Sequence, residues 1–227
     1  MVSQHVCEVS WSGRLPYEET ERLMERRTPA RFAGQVADAL YLLEHPHVIT
    51  MGKRGGWEHL KTRRDALAAR GVTLHETTRG GDITYHGPGQ LIGYPILNLR
   101  ELGTGARGYV ERLEAVLIEA LARFGIRAGR VEGRTGVWTG GRKIAAIGVR
   151  VTRGVTSHGF ALNVHTDLSY FDHIVPCGIS DADVTSMARE VGRPLSLEEV
   201  IPAIVEPFGA IMERRMVWAV AAVQASA

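Results

Sequence analysis

The 227 residues carry 27 Lys and Arg against 25 Asp and Glu, a formal net charge of +2, with 44% hydrophobic and 23% charged positions. That balance is too weak for a nucleic-acid-binding surface and too apolar for a disordered chain. No apolar run approaches bilayer length, no basic-then-apolar leader precedes Glu8, and Cys7 and Cys177 fit neither a disulfide framework nor a CxxC metal site. The expectation is a soluble cytoplasmic protein with reduced thiols and with no membrane or nucleic-acid partner. Three of the basic residues are lysines, Lys53, Lys61 and Lys143, so a lysine beside chemistry stands out against an arginine background that cannot release protons.

In chain order, residues 6–10, 40–43 and 48–51 read as strands, with a helix over 16–27 opened by Pro16. A short helix over 62–70 is ended by Gly71, and 72–77 is extended again. The clearest helix spans 107–124, where Val110, Leu113, Leu117, Leu121 and Phe124 share one face and Glu111, Arg112, Glu114 and Glu119 intervene. Residues 135–164 are punctuated by glycine and rich in Val, Ile and Thr, which predicts two or three antiparallel strands. Ser196 and Glu199 form a capping box for a helix running to residue 211, and a last strand covers 216–223. Strands clustered mid-chain, with helices between and after them, predict an α+β fold.

Four segments carry candidate chemistry. RGGDITYHGPGQ (79–90) packs four glycines among Arg79, Asp82, Thr84, Tyr85 and His86. It reads either as a glycine-rich hairpin or as a strand whose bare backbone a ligand approaches. It is not a phosphate loop, because GxxxxGK[ST] is absent and no GxGxxG opens a helix. GRKIAAIG (141–148) sets Lys143 in an apolar strand, where burial would make it a base or a fixed cation, or where it snorkels to solvent. SHGFALN (157–163) places Gly159 where a ligand could lie flat, with His158 as a structural or supporting side chain. IVPCGI (174–179) presents Cys177 between Pro176 and Gly178, as an inert thiol or an accessible nucleophile. His45 and His47 hint at a metal, weakly, because no acidic or cysteine ligand lies nearby in sequence.

Taken together, RGGDITYHGPGQLIGYPI, GRKIAAIGV, HGFALNV and PCGI, in that order over residues 42–187, closely resemble the lipoyl(octanoyl) transferase family. The resemblance implies a mixed β-sheet flanked by helices in one domain spanning 1–227, a fold shared with biotin and lipoate protein ligases. It implies transfer of an octanoyl or lipoyl group from the thioester of acyl carrier protein to a lysine of apo lipoyl domains. Those acceptors belong to 2-oxoacid dehydrogenases and to the glycine cleavage H protein. Cys177 would be the nucleophile and Lys143 its partner, with no cofactor and no metal. The acyl pocket would be lined by Arg79, Gly80, Gly81, Asp82, Ile83, Thr84, Tyr85 and His86, and by Ala146, Ile147, Gly148, Gly159, Phe160 and Ala161. His158 would support them. The rivals are an ATP-dependent lipoate or biotin ligase, which has no need of Cys177, and an amidotransferase moving the acyl group between protein lysines.

Overall fold

Alternating and continuous apolar runs build mixed sheets in the computed structural model, which describes residues 5–175 and 183–219. The strands are β1 (His5–Arg14), β2 (Asp38–Glu44), β3 (Val48–Met51), β4 (Thr73–Glu76), β5 (Ile83–His86), β6 (Gln90–Ile96), β7 (Gly129–Val131), β8 (Arg134–Thr139), β9 (Arg142–Thr152), β10 (Val155–Asn163) and β11 (Arg214–Trp218). The large sheet runs β11-β1-β2-β6-β10-β9-β8-β7, and β4-β3-β5 form a smaller one. Both pairings of β1 are parallel, and every pairing from β2 to β7 is antiparallel. The α+β expectation holds, and 135–164 resolves into β8, β9 and β10.

The helices are α1 (Tyr17–Phe32), α2 (Arg64–Ala68), α3 (Ala106–Ala122), α4 (Met187–Val191) and α5 (Leu197–Ile211). Alternation along the strands sends Leu40, Leu42, Leu91 and Leu162 to the sheet face covered by α3 and α5. Leu43, Ile92, Tyr94 and Ala161 go to the opposite face, under Met24 of α1. No helix among the described residues is long and apolar enough to cross a membrane.

Several boundaries move for physical reasons. The last strand is Arg214–Trp218, in register with β1, and residues 220–227 lie outside the described residues. The Ser196 hydroxyl accepts from the Glu199 N–H, but the Glu199 carboxylate turns to Arg193 instead of closing the capping box. Glu114, expected on the polar face of α3, is buried, accepting from Arg130 Nε at 2.8 Å and from the Gly136 N–H at 3.0 Å. α1 continues past residue 27 and through Pro29, because Arg31 must reach Asp38. Each oxygen of the fully buried Asp38 carboxylate takes one arginine Nε at 2.6 Å, Arg31 from α1 and Arg214 from β11. Arg31 also pairs with Glu101. This cluster ties the end of α1, β2 and the edge strand into one unit.

A second polar layer lies beneath α1. The Tyr17 ring sits 5.3 Å from His45 and is stacked 6.5 Å from His86, while Tyr94 lies edge-on to His158 at 6.1 Å. His45 Nδ1 donates to Leu15 O at 2.7 Å, which leaves Nε2 to accept from the Tyr94 hydroxyl at 2.9 Å. Burial keeps these imidazoles neutral: it lowers His45 to about 4, His158 to about 3, and His86 well below the usual histidine range.

Two outcomes follow from these layers. Asp38→Ala leaves two buried guanidinium groups without their shared carboxylate and should cost about 3–5 kcal/mol in urea unfolding. A loss below 1 kcal/mol would mean the cluster is dispensable. The histidines set a pH dependence whose sign is fixed: the unfolded chain protonates near pH 6.5, the folded one does so only far below. Stability should therefore fall as pH drops from 7 to 5, by up to about 1.4 kcal/mol per pH unit for each histidine held neutral. The slope should become shallower in His158→Gln, and a urea midpoint that is flat across that range would contradict the neutral layer.

Candidate active site

The glycine-rich segment is neither one strand nor a hairpin. β5 pairs with β3 in the small sheet, β6 belongs to the large one, and the 87–89 turn carries the chain between them. Gly89 O accepts from the N–H groups of Val164 and His165 and from the Thr166 hydroxyl, pinning that turn to the end of β10. The Gly80 N–H donates to Val149 O at 2.9 Å, so the loop before β5 closes on β9.

Between that loop, β5 and the β9–β10 pair lies a cavity of about 570 Å³, within the usual range of about 300–1,000 Å³ for small-ligand sites. It collects Arg79, Gly80, Gly81, Asp82, Ile83, Thr84 and His86 with Lys143, Ala146, Ile147, Gly148, His158, Gly159, Phe160 and Ala161. Tyr85 is the exception among the residues expected there. Alternation turns it the other way, into the small sheet's core, where its ring stacks on Tyr170 at 5.0 Å and its hydroxyl bonds His47.

The glycines also serve the packing of the wall. A Cβ on Gly148 would stand 3.1 Å from both Gly80 O and Arg79 Cδ. One on Gly159 would meet Pro95 Cδ at 2.6 Å, and one on Gly80 would meet Val149 O at 3.2 Å. The protein's own atoms occupy these spaces, so the glycines let strands and loop approach one another, while their backbone also lines the cavity. Gly81, at φ +91°, additionally needs a backbone that side chains rarely adopt.

Arg79 is buried. Its Nη2 donates to Thr50 O and Thr50 Oγ1, both at 2.8 Å, and its Nη1 to Gly80 O at 3.1 Å. Asp82 accepts from the Ile83 N–H and pairs with His59 at 2.7 Å, which raises that imidazole. His158, also buried, has a left-handed backbone at φ 56° inside β10, a conformation that costs a non-glycine residue on the order of 1–2 kcal/mol.

Lys143 is half-buried at the cavity wall, with Nζ 4.8 Å from the centroid of Trp138, its register partner on β8. Arg134 lies over the same ring at 5.6 Å. The Lys143 backbone is clamped: its N–H donates to Asp183 O and its carbonyl accepts from the Thr185 N–H, both at 2.9 Å. Cys177 lies outside the described residues. The flanking chain is anchored by the Val175 N–H on His59 O and by Asp183 on Lys143. Cys7 is a core residue whose thiol burial pushes far above the ordinary cysteine range. His45 and His47 bond different partners, and no group of three or more His, Cys, Asp or Glu among the described residues could hold a metal ion.

The sequence reading missed Trp138, Gln90 and Asn163. A signal existed for the last two, as polar residues inside otherwise apolar strands that face each other in register across β6 and β10. Trp138 carried none, because only the register of the β8–β9 hairpin, which contains an irregularity, brings it to Lys143.

Residues 16–209 match the family described as the lipoyl protein ligase A/B catalytic domain. The chain is 51% identical over 211 residues to an octanoyltransferase of Koribacter versatilis, covering 91% of this chain and 84% of that one. It is 50% identical over 210 residues to an octanoyltransferase of Solibacter usitatus, covering 92% and 94%. In fold it is similar to Ta0514, a putative lipoate protein ligase from T. acidophilum, with a TM-score of 0.75 at 16% identity over 94% of this chain and 88% of that one. It is also similar to the biotin protein ligase of Aquifex aeolicus, with a TM-score of 0.56 at 14% identity over 91% and 70%. The chain belongs to the lipoyl protein ligase A/B catalytic domain family.

Proposed function

We propose that this chain is an octanoyltransferase of protein lipoylation, working as one catalytic unit through a thioester on Cys177. Its donor is octanoyl-acyl carrier protein, and its acceptors are lysines of apo lipoyl domains. Octanoyl transfer rests on the curated relatives at about half identity over nine-tenths of the chain. The observation that carries the mechanism is Lys143, clamped through its backbone at the cavity wall by the 183–185 segment, an isolated parallel bridge that follows Cys177 in sequence.

The cavity suits an acyl chain. Ile147, Phe160 and Ala161 offer apolar wall, and burial is worth about 0.8 kcal/mol for each CH₂ of the substrate. In the first half-reaction the Cys177 sulfur attacks the donor carbonyl carbon. A new C–S bond forms, the old one breaks, and the departing thiolate takes the proton that Lys143 held. One thioester replaces another at nearly equal energy, so no nucleotide is consumed. In the second half-reaction the acceptor amine attacks the same carbon, a C–N bond forms, and the Cys177 sulfur leaves. Neutral Lys143 takes the surplus amine proton and returns it to the sulfur.

Mixing the protein with octanoyl-acyl carrier protein should give an octanoyl mass adduct on Cys177 without ATP or added metal. The adduct should vanish in Cys177→Ala and persist in Cys7→Ala. Mapping to another residue, or strict ATP dependence, would instead favour a ligase. Lys143→Arg should separate the half-reactions, because arginine keeps the charge but cannot release a proton at working pH. Acylation should survive in part while transfer to the lipoyl domain falls about 10²–10⁴-fold, the usual worth of a general base. Single-turnover rates check this, and equal losses in both steps would refute proton transfer by Lys143.

A further inference from the structure

A chain of side-chain hydrogen bonds runs from the wall of the cavity to the backbone of Lys143. Arg79 Nη2 donates to Thr50 Oγ1 at 2.8 Å, and Thr50 Oγ1 meets His86 Nε2 at 3.4 Å. His86 Nδ1 meets Gln90 Oε1 at 2.8 Å, Gln90 Nε2 donates to Asn163 Oδ1 at 2.9 Å, and Asn163 Nδ2 donates to Thr185 O at 3.0 Å. The Thr185 N–H in turn holds Lys143 O.

The direction of this chain is forced from its carbonyl end. The Thr185 peptide oxygen only accepts, so Asn163 and Gln90 each point an amide nitrogen toward it, and a neutral His86 that gives its Nδ1 proton to Gln90 leaves Nε2 to accept from the Thr50 hydroxyl. That fixes His86 with its proton on Nδ1, Gln90 with its carbonyl toward His86, and Asn163 with its amide nitrogen toward Thr185. All of these side chains are buried, so a reversed link would leave acceptor facing acceptor without water to separate them.

We infer that Gln90 and Asn163 are positioning residues for the transfer step, holding the 183–185 segment, and with it the Lys143 backbone, in fixed register with the Arg79 wall of the cavity. Neither residue needs to touch the substrate's reacting carbon. Their contribution is geometric, and displacements of about 1 Å at a reacting group are enough to cost about a hundredfold in rate. This inference rests on the reading of Lys143 as the proton carrier.

Asn163→Asp tests it through pH. The ionised carboxylate still accepts from Gln90 Nε2 but turns a second oxygen on Thr185 O; once protonated, that oxygen donates and the link is restored. The groups facing this position are Gln90 on β6, His86 on β5 through Gln90, and Lys143 on β9 through Thr185. Beyond the Thr185 hydroxyl stand Glu190 and its partner Arg142. Gln90→Glu should behave alike, because its ionised form repels Asn163 Oδ1 and forces the same reversal one link earlier.

With octanoyl-acyl carrier protein as donor and a lipoyl domain as acceptor, both variants should still load Cys177, although both side chains also line the cavity. Both should transfer about ten- to a hundredfold more slowly than wild type at pH 8. The ratio of variant to wild-type transfer should recover toward one as pH falls to about 5.5, whereas Asn163→Ala should show a ratio that pH does not move. Hydrogen exchange at the Thr185 amide should lose protection in both acidic variants at pH 8, a readout independent of catalysis. Ratios that stay constant with pH in both variants, or full Thr185 protection, overturn the relay. Failure of the wild type to load Cys177 overturns the acyl-enzyme reading instead, and leaves the exchange result to judge the relay alone.

Discussion

Burial of the Arg79 guanidinium is the constraint around which the rest of the site is arranged. A cation at this depth needs fixed acceptors, and it takes them from the Thr50 carbonyl and hydroxyl of β3 and from Gly80 O in its own loop. Reaching β3 brings the loop over the large sheet, where the Gly80 N–H closes on Val149. Side chains at positions 52, 81 and 148 would stand against the guanidinium or its stem, so glycine occupies all three. The same positive charge reinforces burial in keeping His86 and His158 neutral. Loop path, glycine placement and histidine protonation state are thus consequences of one buried group.

That arrangement divides the cavity. One part of its wall is backbone and the apolar side chains of Ile147, Phe160 and Ala161, and the spaces beside Gly80, Gly148 and Gly159 are filled by neighbouring atoms. Its lining also carries two cationic heads on long stems, with Arg134 and Lys143 both over the Trp138 ring. A cation over an indole gains about 0.5–2 kcal/mol, which favours a limited set of directions without abolishing motion. A wall packed this closely selects the shape of what binds.

Much of this was legible in the sequence where the signal was local. The α3 face, the Ser196 cap and the three strands of 135–164 each follow from periodicity or from a single capping side chain. The failures were nonlocal. The end of α1 was set by Asp38, outside the helix, and the burial of Glu114 by Arg130 across a turn. Segment 79–90 looked like one element because its glycines are contiguous in sequence, yet it serves two sheets. At the site, the residue types were readable but their orientations were not: Tyr85 sits among cavity residues in sequence and faces the opposite side.

The fold leaves open how an acyl group arrives, since ligases of both lipoate and biotin share it at low identity. A ligase uses nucleotide to activate a free acid, whereas a transferase starts from an acyl group already activated as a thioester, and the protons of the attacking groups remain to be moved. At neutral pH a free thiol is mostly protonated and an acceptor lysine almost wholly so, and both must lose a proton before they attack. One neutral lysine suffices for the whole cycle if each proton it takes is returned before the next is needed. In the cycle proposed above, the departing donor thiolate would collect the first and the departing Cys177 sulfur the second, so the enzyme would end in the protonation state in which it began. Such a carrier must sit within reach of both partners without being able to wander. A lysine whose backbone N–H and carbonyl are both paired by the segment that follows Cys177, and whose head rests on an aromatic ring, meets that requirement. Arginine, which supplies most of the basic residues in this chain, could hold the charge but never complete the cycle.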